Sequence, residues 1–224
     1  MFFKKKNKNG EERKERSDKK VHVGPTISSR LIYEVERFAY ITDQPIGRIG
    51  VLLCYEGVRH REVIERFAPY FQRGILRVEN TLFYGYPDNP TINEPIESEA
   101  ADRISIRFTQ RDYEDISLLA NLLDISPTRA TAILIDAAIR HPEIIEYILQ
   151  HHNNRMAAFD DVTTAELKKF MRYVNRDNPY KATWNETLVF LVEGAKQKFR
   201  GITRKITPKA VDRETYRWNF DDSD

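Results

Sequence analysis

Residues 103–108 read Arg-Ile-Ser-Ile-Arg-Phe. Two guanidinium groups and a hydroxyl alternate with two isoleucines and a phenylalanine. In an extended backbone the first set faces one way and the second the other. Arginine offers a rigid fork of N–H donors, and serine a hydroxyl that donates or accepts. Such a face suits an acceptor-rich polar partner, for which DNA is a natural candidate. The same pattern also fits an ordinary edge strand whose arginines meet only water. Catalytic chemistry finds little footing elsewhere. There is no Walker A loop, no Gly-x-Gly-x-x-Gly and no nucleophile elbow. His60 and His141 each follow an arginine at a helix end, where C-terminal capping is the expected role. His151 and His152 are adjacent and cannot share one helix face, and Asp160-Asp161 and Asp221-Asp222 lack partners at usable spacing. The expectation is a non-enzyme with no catalytic residue, no metal and no cofactor.

Composition narrows the setting. The hydrophobic fraction of 41% supports packed cores, while 31% charged residues and a mean hydropathy of -0.59 point to a soluble chain. No apolar run reaches the ~20 residues that a membrane helix needs, so no membrane partner is expected. Cys54 is the single cysteine, which rules out an intrachain disulfide or a cysteine-based zinc site and suits a reducing cytoplasm. The formal net charge of +2 conceals segregation. Residues 1–20 carry nine Lys/Arg against four Asp/Glu, and 196–209 carry six Lys/Arg and no acid. Residues 69–153 carry seven Arg against thirteen acids. A basic tail is compatible with a merely solvated segment, but basic stretches near both ends also suit a polyanion.

The elements that must position the 103–108 pattern recur. An offset of 81 residues aligns Val23, Pro25 and Ile27 with Ile104, Ile106 and Phe108, and Val35, Phe38 and Ala39 with Ile116, Leu119 and Ala120. It also places Asp43 on Asp124, Ile49, Leu52, Leu53 and Gly57 on Ala130, Ile133, Leu134 and Ala138, and Arg59-His60 on Arg140-His141. About 45 positions align without a gap. Each copy reads as strand, helix, turn, helix and a further helix. In the second copy Thr109 caps a helix over roughly 110–123, with Asp112 in the capping-box position. Ser126 and Pro127 start the next helix, and Pro142 the third. The first copy is less regular, since Pro25 interrupts its strand and Gly47, Gly50 and Gly57 weaken its second helix.

Residues 75–84 (ILRVENTLFY) are rich in β-formers and fit a strand or hairpin, followed by turn chemistry at 85–90. Beyond Asn154, Thr164 is positioned to cap a helix carrying Leu167, Phe170, Met171 and Val174, with a second helix around 184–199. Tyr180, Trp184 and Phe190 are expected to build core there, and a third, degenerate copy is an open alternative. The expected organisation is a basic disordered tail (1–20), a first unit (21–70), a linker with a strand or hairpin (71–100), a second unit (101–153), a C-terminal helical region (154–205) and a disordered tail (206–224).

Strand, helix, short turn and helix, with polar and apolar residues alternating in the strand, resembles the ribbon-helix-helix family of DNA-binding proteins, whose familiar members are the Arc- and MetJ-type repressors. The resemblance is good over 102–141, plausible over 21–60 and weak over 156–199. It implies a mainly α fold with short β-strands, as tandem ribbon-helix-helix-like units plus the C-terminal helical region. It also implies that the strands of two units pair into an antiparallel ribbon that enters the major groove of double-stranded DNA. Carried onto this chain, the base-reading positions are Arg103, Ser105 and Arg107, with His22 and Thr26 as a weaker set around Gly24 in the first copy. Phosphate contacts fall to Ser126, Thr128 and Arg129 at a helix N-terminus, helped by Lys19 and Lys20. Pro127 has no N–H to give. The resemblance implies a cytoplasmic, nucleoid-associated transcriptional repressor. A plasmid or mobile-element accessory protein acting at a partition site or transfer origin stays open, as does a helical protein-interaction scaffold. Pairing within one chain, or between chains as a homodimer or higher oligomer, also stays open.

Overall fold

The computed structural model describes residues 20–92, 101–154, 159–176, 178 and 180. The chain is mostly helical, with a few short antiparallel strands. Strands β1 (Val21–Val23) and β2 (Thr26–Ser28) lead into helices α1 (Ser29–Thr42), α2 (Ile46–Arg59) and α3 (Arg61–Phe67). A hairpin of β3 (Ile75–Val78) and β4 (Thr81–Tyr84) follows. Strands β5 (Ala101–Arg103) and β6 (Ile106–Phe108) lead into α4 (Gln110–Leu122), α5 (Pro127–Ile139) and α6 (Pro142–His151), and α7 (Asp161–Asn175) closes the described chain.

Local chemistry sets these boundaries. Ser28 accepts from the Leu31 N–H to start α1, and Thr109, its equivalent at the 81-residue offset, accepts from the Asp112 N–H to start α4. Ser126 accepts from the Arg129 N–H to start α5, with Pro127 in the first turn. Asp43 and Asp124, also equivalent, both turn left-handed after the first helix of their copy, at φ 53° and 55°. That conformation reverses the chain with one residue and suits Asp better than most side chains. Thr164 is not a cap. Asp160 takes that role by accepting from the Thr163 N–H, which starts α7 a turn earlier and leaves Thr164 inside it.

The two copies meet along their strands. Val21, His22 and Val23 stand opposite Phe108, Arg107 and Ile106, and Thr26, Ile27 and Ser28 opposite Arg103, Asp102 and Ala101. Both ladders share one register, so a single antiparallel ribbon runs from 21–28 to 101–108. Neither strand is continuous, contrary to the reading of 103–108 as one run. Gly24-Pro25 and Ile104-Ser105 form a break at mid-ribbon, bridged by the Ile104 N–H donating to the Pro25 carbonyl. Proline has no N–H to continue the ladder, so it lies where the ladder is interrupted. Gly24 stands opposite Ser105, its own repeat equivalent. A local two-fold axis passes between them.

Contacts across that axis are reciprocal. At its helical end α2 crosses α5, where a Cβ on Gly57 would lie 3.1 Å from the Cβ of Ala138, its equivalent. The glycines of α2 therefore serve close packing. A Cβ on Gly50 would meet Ile106 Cδ1 at 2.7 Å, and one on Gly47 would meet the Ser105 carbonyl oxygen at 3.0 Å. The ribbon rests directly on the α2 backbone.

Each copy's exit segment also fastens onto the other copy. The Gln72 N–H donates to the Leu122 carbonyl at the end of α4, and Arg73 pairs with Asp124. In the same relation, the Asn154 N–H donates to the Thr42 carbonyl at the end of α1, and Asn154 Nδ2 donates to the Asp43 carbonyl. Residues 71–92 carry the hairpin and fasten onto the second copy, burying Phe71 and Ile92. Helix α7 covers α1 through Phe38 and Phe170, whose rings stack at 4.9 Å, and through Arg37, which binds Glu34 and Glu166. The expected helix around 184–199, with Trp184 and Phe190, lies outside the described residues, while Tyr180 is buried as expected.

Candidate functional site

The ribbon has two unlike faces. Val23, Ile27, Ile104, Ile106 and Phe108 are buried against the helices, as the alternation requires. His22, Arg103, Ser105 and Arg107 are exposed on the opposite face, with Thr26 partly so. The two groups of base-reading candidates, 81 residues apart in sequence, therefore form one surface. Arg107 stands opposite His22 at one end and Arg103 opposite Thr26 at the other. His22 Nε2 and Ser105 Oγ lie 2.8 Å apart, within hydrogen-bond distance, and Arg103 Nε donates to Thr26 Oγ1 at 3.4 Å. These contacts orient the polar face without consuming it, since an arginine carries five N–H donors.

Both arginines project from the same strand, which α2 supports at Gly47 and Gly50. The start of α2 lies beside the middle of the ribbon, within reach of the Ser105 carbonyl. The expected phosphate position at the start of α5 is reduced in the structure. The Arg129 N–H is already donated to Ser126 Oγ at 3.2 Å, and its guanidinium reaches the Ile92 carbonyl. Thr128, exposed in the first turn, has the amide and hydroxyl best suited to an anion there. Lys20 is exposed just before β1, and Lys19 lies outside the described residues. Sequence reading passed over Arg48, which is exposed in the first turn of α2. The 81-residue offset places Arg48 on Arg129, so the repeat itself carried the signal.

His60 and His141 end the second helix of each copy and also pack on each other. Their rings meet across the axis with centroids 3.9 Å apart, and each Nε2 reaches the other copy's carboxylate. His60 is 3.1 Å from Glu143, and His141 is 3.0 Å from Glu62. The Tyr180 ring closes the far side of His141, with the Arg66 guanidinium over that tyrosine. Burial, helped by the neighbouring His60, lowers the His141 pKa from its ordinary value, and the Glu62 carboxylate opposes that shift only in part. His60 is also the C-cap of α2, its N–H donating to the Gly57 carbonyl, whereas on α5 that place falls to Arg140 and His141 follows it. Among the described residues no group of three or more His, Cys, Asp or Glu side chains is placed to hold a metal ion. Cys54 is fully buried, and burial pushes its thiol pKa up, which disfavours the thiolate. No single helix among the described residues is long and apolar enough to cross a membrane.

Comparison with protein-family models, with curated proteins and with solved structures finds no match.

Proposed function

We propose that this chain is a sequence-specific double-stranded DNA-binding protein built from two ribbon-helix-helix-like units joined in one polypeptide. In this reading the ribbon of 21–28 and 101–108 enters the major groove. The carrying observation is the antiparallel pairing of the two repeat strands, which puts His22, Thr26, Arg103, Ser105 and Arg107 on one outward face over an apolar underside. A two-stranded ribbon fits the ~12 Å major groove, and an arginine fork matches guanine O6 and N7. Thr128, Arg48 and Lys20 flank as phosphate contacts, with Arg129 contributing charge. Occupancy of a promoter by such a body excludes polymerase, so repression within the nucleoid is the function it supports best.

The test is binding of the full chain to genomic duplex fragments at several salt concentrations. Discrete complexes are expected, with affinity falling steeply as salt rises because phosphate contacts release counterions. Arg103→Ala with Arg107→Ala is expected to cost roughly 2–6 kcal/mol of discrimination between sites, from about 1–3 kcal/mol per arginine fork. The circular dichroism spectrum should stay unchanged, since both side chains are exposed. Absent or salt-insensitive binding would refute the proposal.

A further inference from the structure

The symmetry of the ribbon backbone is not matched by its side chains. The axis between Gly24 and Ser105 exchanges His22 with Arg103 and Thr26 with Arg107. A symmetric pair of units would present the same side chain at each exchanged position. Here one end presents His22 and Arg107, and the other presents Arg103 and Thr26. Arginine is the repeat equivalent of Thr26 at one end and of His22 at the other, so the two halves cannot prefer the same base at equivalent places. Both arginines also belong to one side of the ribbon, although the Arg103 Nε leans across it to Thr26 Oγ1.

We infer that one chain reads one duplex, and that its preferred site is non-palindromic, with two guanines about four base pairs apart. This rests on the DNA-binding reading above. The spacing follows from the shared register: Arg103 and Arg107 lie on either side of the break at Ile104-Ser105, four extended residues apart at ~3.4 Å each, a span of at most about 14 Å. With a base-pair rise of ~3.4 Å, that is about four steps. Ser105 and Gly24 lie over the middle of the site, where a short hydroxyl and a bare backbone discriminate weakly. A second chain is not needed to complete the polar face, because both of its strands come from the same polypeptide.

The experiment is selection of the full-length protein on a randomised duplex library, followed by titration of the winning duplex with stoichiometry read by sedimentation. An asymmetric winner with one chain per duplex is expected. Arg107→Ala should relax preference at one end only and Arg103→Ala at the other, each by about 5- to 150-fold at its own base pair. The double substitution His22→Arg and Thr26→Arg equalises the two halves and should shift the selected consensus toward a palindrome. A palindromic winner for the unaltered protein, two chains per duplex, or both single variants relaxing the same positions would overturn this inference while leaving DNA binding intact. Failure to enrich any duplex would instead overturn the reading beneath it.

Discussion

The seat of the ribbon on α2 gives a sharp test of the packing. Gly50 is buried in the middle of α2, and a Cβ there would stand 2.7 Å from Ile106 Cδ1 and 3.0 Å from Cγ1. Replacing glycine by alanine inside a helix ordinarily gains about 0.8–1.0 kcal/mol. At this position the new methyl must displace a fully buried isoleucine whose strand is held in register. Overpacking of that kind costs typically 1–3 kcal/mol, so Gly50→Ala should lower stability by up to about 2 kcal/mol. The partner change Ile106→Val removes the clashing Cδ1 and alone costs about 0.5–1.5 kcal/mol for the lost methyl group. Combined, the two should destabilise less than their sum, with a favourable coupling of about 1–2 kcal/mol. Urea titrations followed by far-ultraviolet circular dichroism would measure all four corners of the cycle, with constant slopes checking that the transition is unchanged. Gly50→Ala raising stability by the full helical increment, or strict additivity, would refute the claim that the ribbon rests on bare backbone.

Two further outcomes follow from the packing. Below neutrality the fold should weaken. The His141 pKa is lowered in the folded state, so the unfolded chain binds more protons, and its stabilisation is complete above the ordinary histidine value of ~6.5. That contribution should fade as pH falls through the lower folded-state value. His141→Phe should flatten this slope in thermal melts taken across that range, and an unchanged slope would show that other groups carry it. Phe170→Ala should cost about 3–5 kcal/mol, because it deletes a fully buried ring stacked on Phe38. Chemical denaturation would show it, and a loss under 1 kcal/mol would mean that α7 is not integral to the α1 face.

Much of this fold is written in short-range chemistry. Ser28, Thr109 and Ser126 announce their helices because a hydroxyl that accepts from the first turn is a local event. The alternation of Ile104, Ile106 and Phe108 with Arg103, Ser105 and Arg107 likewise fixes two faces before any partner is known. The rest is set by long-range contacts. Nothing near Gly50 reveals that Ile106 will press on it, so the first copy's glycines read as helix weakness when they are contact points. The histidines were legible only as helix-end residues, since their partners lie about 80 residues away on Glu143 and Glu62. Thr164 has the chemistry of a cap, but Asp160 offers the same chemistry four residues earlier and starts the helix. The intrachain pairing of the strands, left open by the sequence, rests on a register that no local signal encodes.

That register also orders events during synthesis. Val21 pairs with Phe108, so the first ribbon strand leaves the ribosome well before its partner exists. The helices of the first copy can collapse locally, but their strand keeps an open edge until 101–108 emerges. Pairing so distant in sequence closes slowly, because a long loop must be ordered before any contact compensates for it. The outward polar face is therefore assembled late, and a nascent or truncated chain ending before residue 101 has no ribbon at all. A half-made copy of this protein therefore lacks the whole of that face, not half of it.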